Sequence, residues 1–243
     1  MRNLNKKMIF PTAVSLALFC AVPAFAGNWK QETSGQRVYM QDGTNKAVNR
    51  FLTIDGKKYY VDADGVRVEN RWFSQTSVPN NPQQKVCTTW YYAGVNGAIY
   101  TDGWYKIGDS YYYFYAGGNS PRGTFLTLDG KKYYVDADGV RQQNGWFSIS
   151  GVAANGNTWT NWYYALPDGT MYVGGWVPMN GKQYYFDAGG RSPRSTWVNI
   201  ENDRYYVDAD GAMKTGWFSI SGVGANGTEW TNWYCAHLKG RRV

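Results

Sequence analysis

The sequence predicts an all-β chain, a solenoid of about nine stacked, aromatic-rich β-hairpins following a cleaved signal peptide. Three observations lead there. Aromatic residues that open a repeat fall at Trp29, Phe51, Trp72, Trp104, Phe125, Trp146, Trp176, Trp197 and Trp217, spaced by 20–22 residues with 30–32 after every third one. Each repeat carries strand and tight-turn chemistry and no sustained helical period, and 29 glycines leave little room for long helices. Finally, Leu, Ile, Val and Phe supply only 44 of 243 residues, while Trp and Tyr supply 33. A chain so poor in aliphatic residues cannot build an ordinary globular core, but aromatic faces stacked between neighbouring hairpins can replace it.

Taken in order, residues 1–26 open with Arg2, Lys6 and Lys7, continue through an apolar run from Met8 to Val22 and end in Ala24-Phe25-Ala26. A charged start, a short apolar stretch and an A-x-A site predict a signal peptide cut after Ala26. About fifteen apolar residues fall short of the roughly 20 that span a bilayer, so no transmembrane anchor is expected. Phe19 ahead of Cys20 argues against lipidation, which needs a small residue there. Residues 27–243 form the array. Phe51–Arg67 recurs almost unchanged at Phe125–Arg141 and more loosely at Trp197–Met213, so a block of about 72 residues occurs nearly three times. Within it, Lys57-Lys58-Tyr59-Tyr60-Val61-Asp62 reads as a strand between the turns Asp55-Gly56 and Asp64-Gly65. Tyr59, Tyr133 and Tyr205 are expected in the core. Every third unit is about ten residues longer, across Ser74–Thr88, Ser148–Thr160 and Ser219–Thr231.

The formal charge of +7 narrows the partners less than it first suggests. Removing residues 1–26 takes three cations and leaves +4, and Lys239, Arg241 and Arg242 sit at the extreme C-terminus. No basic run remains that could follow a phosphate backbone, so nucleic acid is excluded as a partner.

The Gly-Trp, Gly and Tyr-Tyr pattern, as in Gly103-Trp104 to Gly118 and Gly175-Trp176 to Gly190, resembles the choline-binding or cell-wall-binding repeats of Gram-positive bacteria. That family extends to the glucan-binding regions of glucosyltransferases, and the short–short–long rhythm resembles clostridial-toxin repeats. The resemblance covers residues 29–243. It implies cages of about three aromatic side chains between consecutive hairpins, in which a quaternary ammonium is held by cation–π attraction of roughly 0.5–2 kcal/mol per contact. Two walls come from the opening Trp and the first aromatic of a Trp-Tyr-Tyr triplet. Candidate cage residues are therefore Trp90, Trp104, Tyr111, Trp162, Trp176 and Trp233. Elsewhere the second wall is Lys58, Lys132, Gln183 or Arg204, where a fixed cation repels choline and suits a sugar hydroxyl or an acidic polymer. Choline is thus expected at a minority of junctions, and a cell-wall polymer or glycan is the expected general partner. Trp159 and Trp230, near the exposed turns of the long units, are further surface candidates.

Other chemistry is thinner. Cys87 replaces Trp159 and Trp230 in its block, and Cys235 replaces Tyr92 and Tyr164. In an extended array they lie too far apart to pair, with intermolecular pairing as the alternative. Asp62-Ala-Asp64-Gly65 and its copies at 136–139 and 208–211 lack an EF-hand's Glu, the twelfth position being Phe73. Turn chemistry explains them better, so no metal is expected. His237 is the only histidine, which leaves no nucleophile–base pair and no His-based metal cluster. No cofactor is expected. The last residues, from Ala236, depart from the repeat and read as a truncated or frame-shifted array. The expectation is a secreted, non-catalytic, surface- or wall-associated binding module; the alternatives are a toxin-like binder of host glycans and a structural spacer without a ligand.

Overall fold

The computed structural model describes residues 27–77 and 85–237. The signal peptide, Cys20 and the basic C-terminal residues lie outside these. The described residues form nine antiparallel hairpins, each an independent two-stranded sheet. The chain divides into two compact units, up to Glu69 and from Asn70 onward.

The first unit holds β1 (Asn28–Gln31) with β2 (Arg37–Met40) and β3 (Arg50–Ile54) with β4 (Lys57–Val61). The second begins with β5 (Arg71–Ser77) and β6 (Cys87–Ala93), β7 (Gly103–Ile107) and β8 (Ser110–Phe114), then β9 (Thr124–Leu128) and β10 (Lys131–Val135). It continues with β11 (Gly145–Val152) and β12 (Thr158–Ala165), β13 (Gly175–Met179) and β14 (Lys182–Phe186), β15 (Thr196–Ile200) and β16 (Asp203–Val207), and β17 (Gly216–Val223) and β18 (Glu229–Ala236). Every consecutive pair forms one hairpin.

The hairpins with five residues per strand are closed by two-residue turns, among them the predicted Asp55-Gly56. Asp55 and Gly56 have φ of 49° and 71°, and Asn180 and Gly181 have 50° and 75°. Two positive φ values define the turn whose twist matches that of paired strands. The long hairpins β11–β12 and β17–β18 have eight residues per strand and β13–β14 and β15–β16 five, so their tips extend past these neighbours by about three residues, roughly 10 Å.

The register explains the recurring Tyr-Tyr pair. The second Tyr faces the opening aromatic of its own hairpin, as Tyr134 faces Phe125 and Tyr164 faces Trp146. The first Tyr reaches the opening aromatic of the preceding hairpin: Tyr112 meets Trp72 at 4.8 Å, Tyr133 meets Trp104 at 5.3 Å and Tyr184 meets Trp146 at 5.2 Å between centroids. Such edge-on or tilted pairs stabilise beyond their buried area, by about 0.5–1.5 kcal/mol each. Tyr59, Tyr133 and Tyr205 do pack between hairpins but are only half-buried. The fully buried positions are instead the residues after each pair, including Val61, Phe114, Val135, Phe186 and Val207. A phenol keeps its hydroxyl near water, whereas these side chains have no polar atom to satisfy.

Successive hairpins are also joined through the backbone. After β10, the Asp136 carboxylate accepts hydrogen bonds from the Asp138 and Val140 amides, both 2.9 Å, and shapes a loop. The chain then turns back, so that the Arg141 amide donates to the Tyr111 carbonyl of the preceding hairpin while the Gln142 amide donates to the Tyr134 carbonyl of its own, both 2.9 Å. The same staple to a preceding hairpin joins Ser120 to Trp90, Met171 to Lys132, Ser192 to Trp162 and Met213 to Gln183 in the second unit, and Arg67 to Arg37 in the first, at 2.7–2.9 Å. Asp62 and Asp208 repeat the carboxylate-capped loop. These aspartates are turn residues, and no cluster of three or more potential metal ligands occurs among the described residues.

Candidate functional site

The staple decides what the aromatic walls hold. Its acceptor carbonyl belongs to the second-wall residue, Trp90, Tyr111 or Trp162, so the stapling segment runs beside that ring. Side chains two residues apart in an extended segment point the same way, and an arginine at the staple or two positions beyond it is laid over the wall. Arg141 is at the staple; Arg122 and Arg194 follow in the repeated Ser120-Pro121-Arg122 and Ser192-Pro193-Arg194. Arg122 Cζ lies 5.2 Å from the ring centroid of Trp72 and 4.6 Å from that of Trp90. Arg141 lies 5.1 Å over Trp104 and 4.3 Å over Tyr111. Arg194 lies 5.1 Å over Trp146 and 4.1 Å over Trp162. In the first unit Arg67 does the same with Trp29 and Tyr59, at 4.8 and 5.7 Å.

Where the second wall is itself cationic, it folds back on its own opening aromatic. Lys58 lies 4.2 Å over Phe51, Lys132 4.5 Å over Phe125 and Arg204 4.6 Å over Trp197. Seven of the nine opening aromatics therefore carry a cation of the chain among the described residues. Burial pulls Arg122, Arg141 and Arg194 below their ordinary pKa, yet guanidinium stays protonated across any working pH. Each is partly anchored: Arg122 Nη1 donates to the Asp138 carbonyl, Arg141 Nη2 to Gln143 Oε1 at 2.8 Å and Arg194 Nη1 to the Ala209 carbonyl at 3.1 Å. Their buried Nε atoms have no hydrogen-bond partner among the described residues. Gly169 makes room for Arg141, because a Cβ there would come within 2.5 Å of its Cδ and Nε.

Of the residues singled out by sequence, Trp90, Trp104, Tyr111 and Trp162 thus line pairs of rings holding a guanidinium. Trp176 faces Tyr185 across its hairpin and packs on Tyr185 and Tyr205, at 5.3 and 5.1 Å between centroids, and no cation of the chain covers it among the described residues. Trp233 is different: it and Trp217 are 68% and 73% exposed. Sequence reasoning missed the arginines because ring and cation are about 30 residues apart and meet only through the staple, although the repeated Ser-Pro-Arg was a visible signal.

Trp159 and Trp230 are exposed on the projecting tips. Each lies across a cross-strand glycine, Gly151 and Gly222, where a Cβ would come within 2.5 and 2.6 Å of the indole Cζ2. In the first long hairpin both partners differ together, Ser77 facing Cys87. Glycine is there to let the indole lie flat. Cys87 and Cys235 are free thiols.

A cleft of about 400 Å³ opens beside Trp162, between β12 and the linker that follows β14. It is lined by Thr160, Trp162, Asp187, Arg191, Ser192 and Arg194 among others. Asp187 Oδ2 pairs with Arg191 Nε at 2.8 Å, and its Oδ1 accepts from the Arg191 amide at 2.9 Å.

Parts of the chain match a known family of repeats. Residues 49–67, 102–120, 123–140, 160–171 and 195–213 match the family described as "Putative cell wall binding repeat". These five segments are cell-wall-binding-type repeats within the array. Among individual proteins, the chain is similar to Glucosyltransferase-S of Streptococcus mutans, 27% identical over 199 residues, 68% of this chain and 13% of the relative. It is also similar to Glucosyltransferase-I of Streptococcus downei, 29% identical over 164 residues, 58% of this chain and 9% of the relative. It thus spans only a small part of either enzyme's length. A solved neighbour is the choline-binding domain of CbpL from Streptococcus pneumoniae, with 23% identity, 88% of this chain and 96% of that one covered, and a TM-score of 0.49. No helix among the described residues is long and apolar enough to cross a membrane.

Proposed function

We propose that the chain is an exported, non-catalytic module that attaches to a bacterial cell-wall polymer or surface glycan through aromatic and polar side chains. The observation that carries this reading is the filling of the cages. A quaternary ammonium needs an open aromatic box, and seven of the nine opening rings are already covered by a cation of the chain. A second cation brought against a buried guanidinium is repelled. What stays open suits sugars: the flat indoles of Trp159 and Trp230, and the cleft in which Trp162 stands among hydroxyl and charged groups. An indole offers an apolar face to sugar C–H groups and a polar edge to hydroxyls. The likeness to the two glucosyltransferases supports a glucan as one such polymer.

Co-sedimentation of the chain with insoluble α-glucan and with purified peptidoglycan, each with and without free choline, tests the reading. Retention that choline does not reverse, and that Trp162→Ala weakens, is the expected result. Retention released by choline would replace the glycan reading with a choline one, and retention on neither polymer would favour a spacer. One observation keeps choline in view at a single place: the exposed rings of Trp217 and Trp233.

A further inference from the structure

We propose that the cleft beside Trp162 is a binding site for an acidic saccharide unit, a sugar carrying a carboxylate or a phosphate, with Arg191 as the residue that selects the charge. The assignment rests on the glycan-binding reading above and names the ligand class of one site within it.

The cleft is large enough for a disaccharide-sized ligand and brings an aromatic ring, hydroxyls and two guanidiniums together. Trp162 supplies an aromatic edge, its face being taken by Arg194. Thr160 supplies a hydroxyl at the mouth. Ser192 is 3% exposed, lines the cleft, and its Oγ has no hydrogen-bond partner among the described residues. Arg191 adds the cation. Asp187 engages its Nε edge only, and 57% of the Arg191 side chain stays exposed, so terminal guanidinium nitrogens remain available for a bidentate anion.

The charge balance also favours an anion. Two guanidiniums and one carboxylate line the cleft, and the carboxylate is already paired. Asp208 and Asp210 also act on Arg194, but neither lines the cleft, and Asp208 is held by the Asp210 and Ala212 amides and by Lys214 at 3.6 Å.

The chain contains its own control. Residues 88–124 repeat 160–196 with an offset of 72 and keep Thr88, Trp90, Ser120, Pro121, Arg122 and Thr124. The loop geometry is kept as well, since the Tyr115 amide donates to the Asn119 carbonyl at 3.0 Å as the Asp187 amide donates to that of Arg191 at 2.9 Å. The ion pair is not kept: Tyr115 and Asn119 stand where Asp187 and Arg191 do. The two copies therefore share the aromatic wall, the arginine-filled cage and the buried serine, and differ in the one feature assigned to charge selection.

The test is titration of the whole chain with cellobiose, its C6-carboxylate counterpart cellobiouronic acid, and glucose 6-phosphate, followed by calorimetry and by the Trp162 indole N–H resonance. Cellobiouronic acid, glucose 6-phosphate or both should bind about tenfold more tightly than cellobiose, the order expected of one charge-assisted contact. The preferred arm separates a uronate-type from a phosphate-type ligand. Arg191→Asn, the residue of the other copy, should erase the preference while Arg191→Lys keeps part of it, with unchanged indole dispersion showing that both variants fold. Tyr115→Asp with Asn119→Arg should add a second acidic-sugar site. Equal affinity for acidic and neutral sugars, or a preference that survives Arg191→Asn, overturns this inference and leaves glycan binding standing. Failure of the wild type on all three sugars and on the insoluble polymers would remove the glycan reading itself.

Discussion

Replacing Arg194 by alanine empties one cage without touching either indole. The guanidinium sits 5.1 Å from Trp146 and 4.1 Å from Trp162. At about 1 kcal/mol per half-buried ring contact, the two together contribute about 2 kcal/mol. In a chain of this length that corresponds to a fall in Tm of about 4–8 °C. Because repeat arrays are stabilised locally, amide exchange should rise first in β11–β14 and the linker that follows them, rather than uniformly. The emptied space keeps two indole faces, with the Tyr184 ring 5.2 Å from Trp146, so it should accept a quaternary ammonium. Two or three such contacts give a Kd of about 1 mM, and choline at ten times that concentration should restore about 1.4 kcal/mol. The assay is Tm and calorimetry with and without choline, run in a Trp233→Ala background so that the exposed terminal pair does not contribute. Arg194→Ala should then be less stable than its parent and be rescued by choline, while the parent is indifferent to it. If the parent takes up choline as well as the variant does, the filled-cage reasoning is refuted. It also fails if the variant loses no stability.

Two further perturbations test other parts of the fold. Gly151→Ala places a methyl against the Trp159 indole, at 2.5 Å from Cζ2 before any adjustment, and should cost about 1–3 kcal/mol while shifting Trp fluorescence; adding Trp159→Cys, as in the Ser77–Cys87 pair, should recover most of that loss. Burial holds the phenols of Tyr91, Tyr134, Tyr163 and Tyr206 above their ordinary pKa of 10.0. The unfolded chain therefore releases these protons first, so stability is complete below about pH 10 and falls as pH rises through the folded values. A titration followed by tyrosinate absorbance and circular dichroism should show these phenols ionising late and together with unfolding.

Much of the architecture is readable residue by residue. Asp55-Gly56 forms a two-residue turn because only residues tolerant of positive φ fit there, and that preference is written in the dipeptide. Asp136 caps its own loop through amides two and four residues on, so turn chemistry is visible and calcium unnecessary. The aromatic rhythm likewise marks nine hairpins and places Trp162 beside Tyr163 and Tyr164. Three things are not readable in the same way. Tyr59, expected in the core, is only half-buried because Val61 takes the deepest position. The flat seating of Trp159 depends on cross-strand register with Gly151. The occupancy of the cages depends on a linker that returns to an earlier hairpin.

By itself, then, the sequence determined the hairpin unit and its nine-fold repetition, because these follow from local turn preferences and a regular spacing of aromatic residues. Only the tertiary structure decided what the aromatic walls face. Trp162 and Arg194 are 32 residues apart in the chain, and nothing local brings them together. A backbone hydrogen bond from the Ser192 amide to the Trp162 carbonyl does, at 2.7 Å. It turns a box able to receive a cation into one that already holds its own.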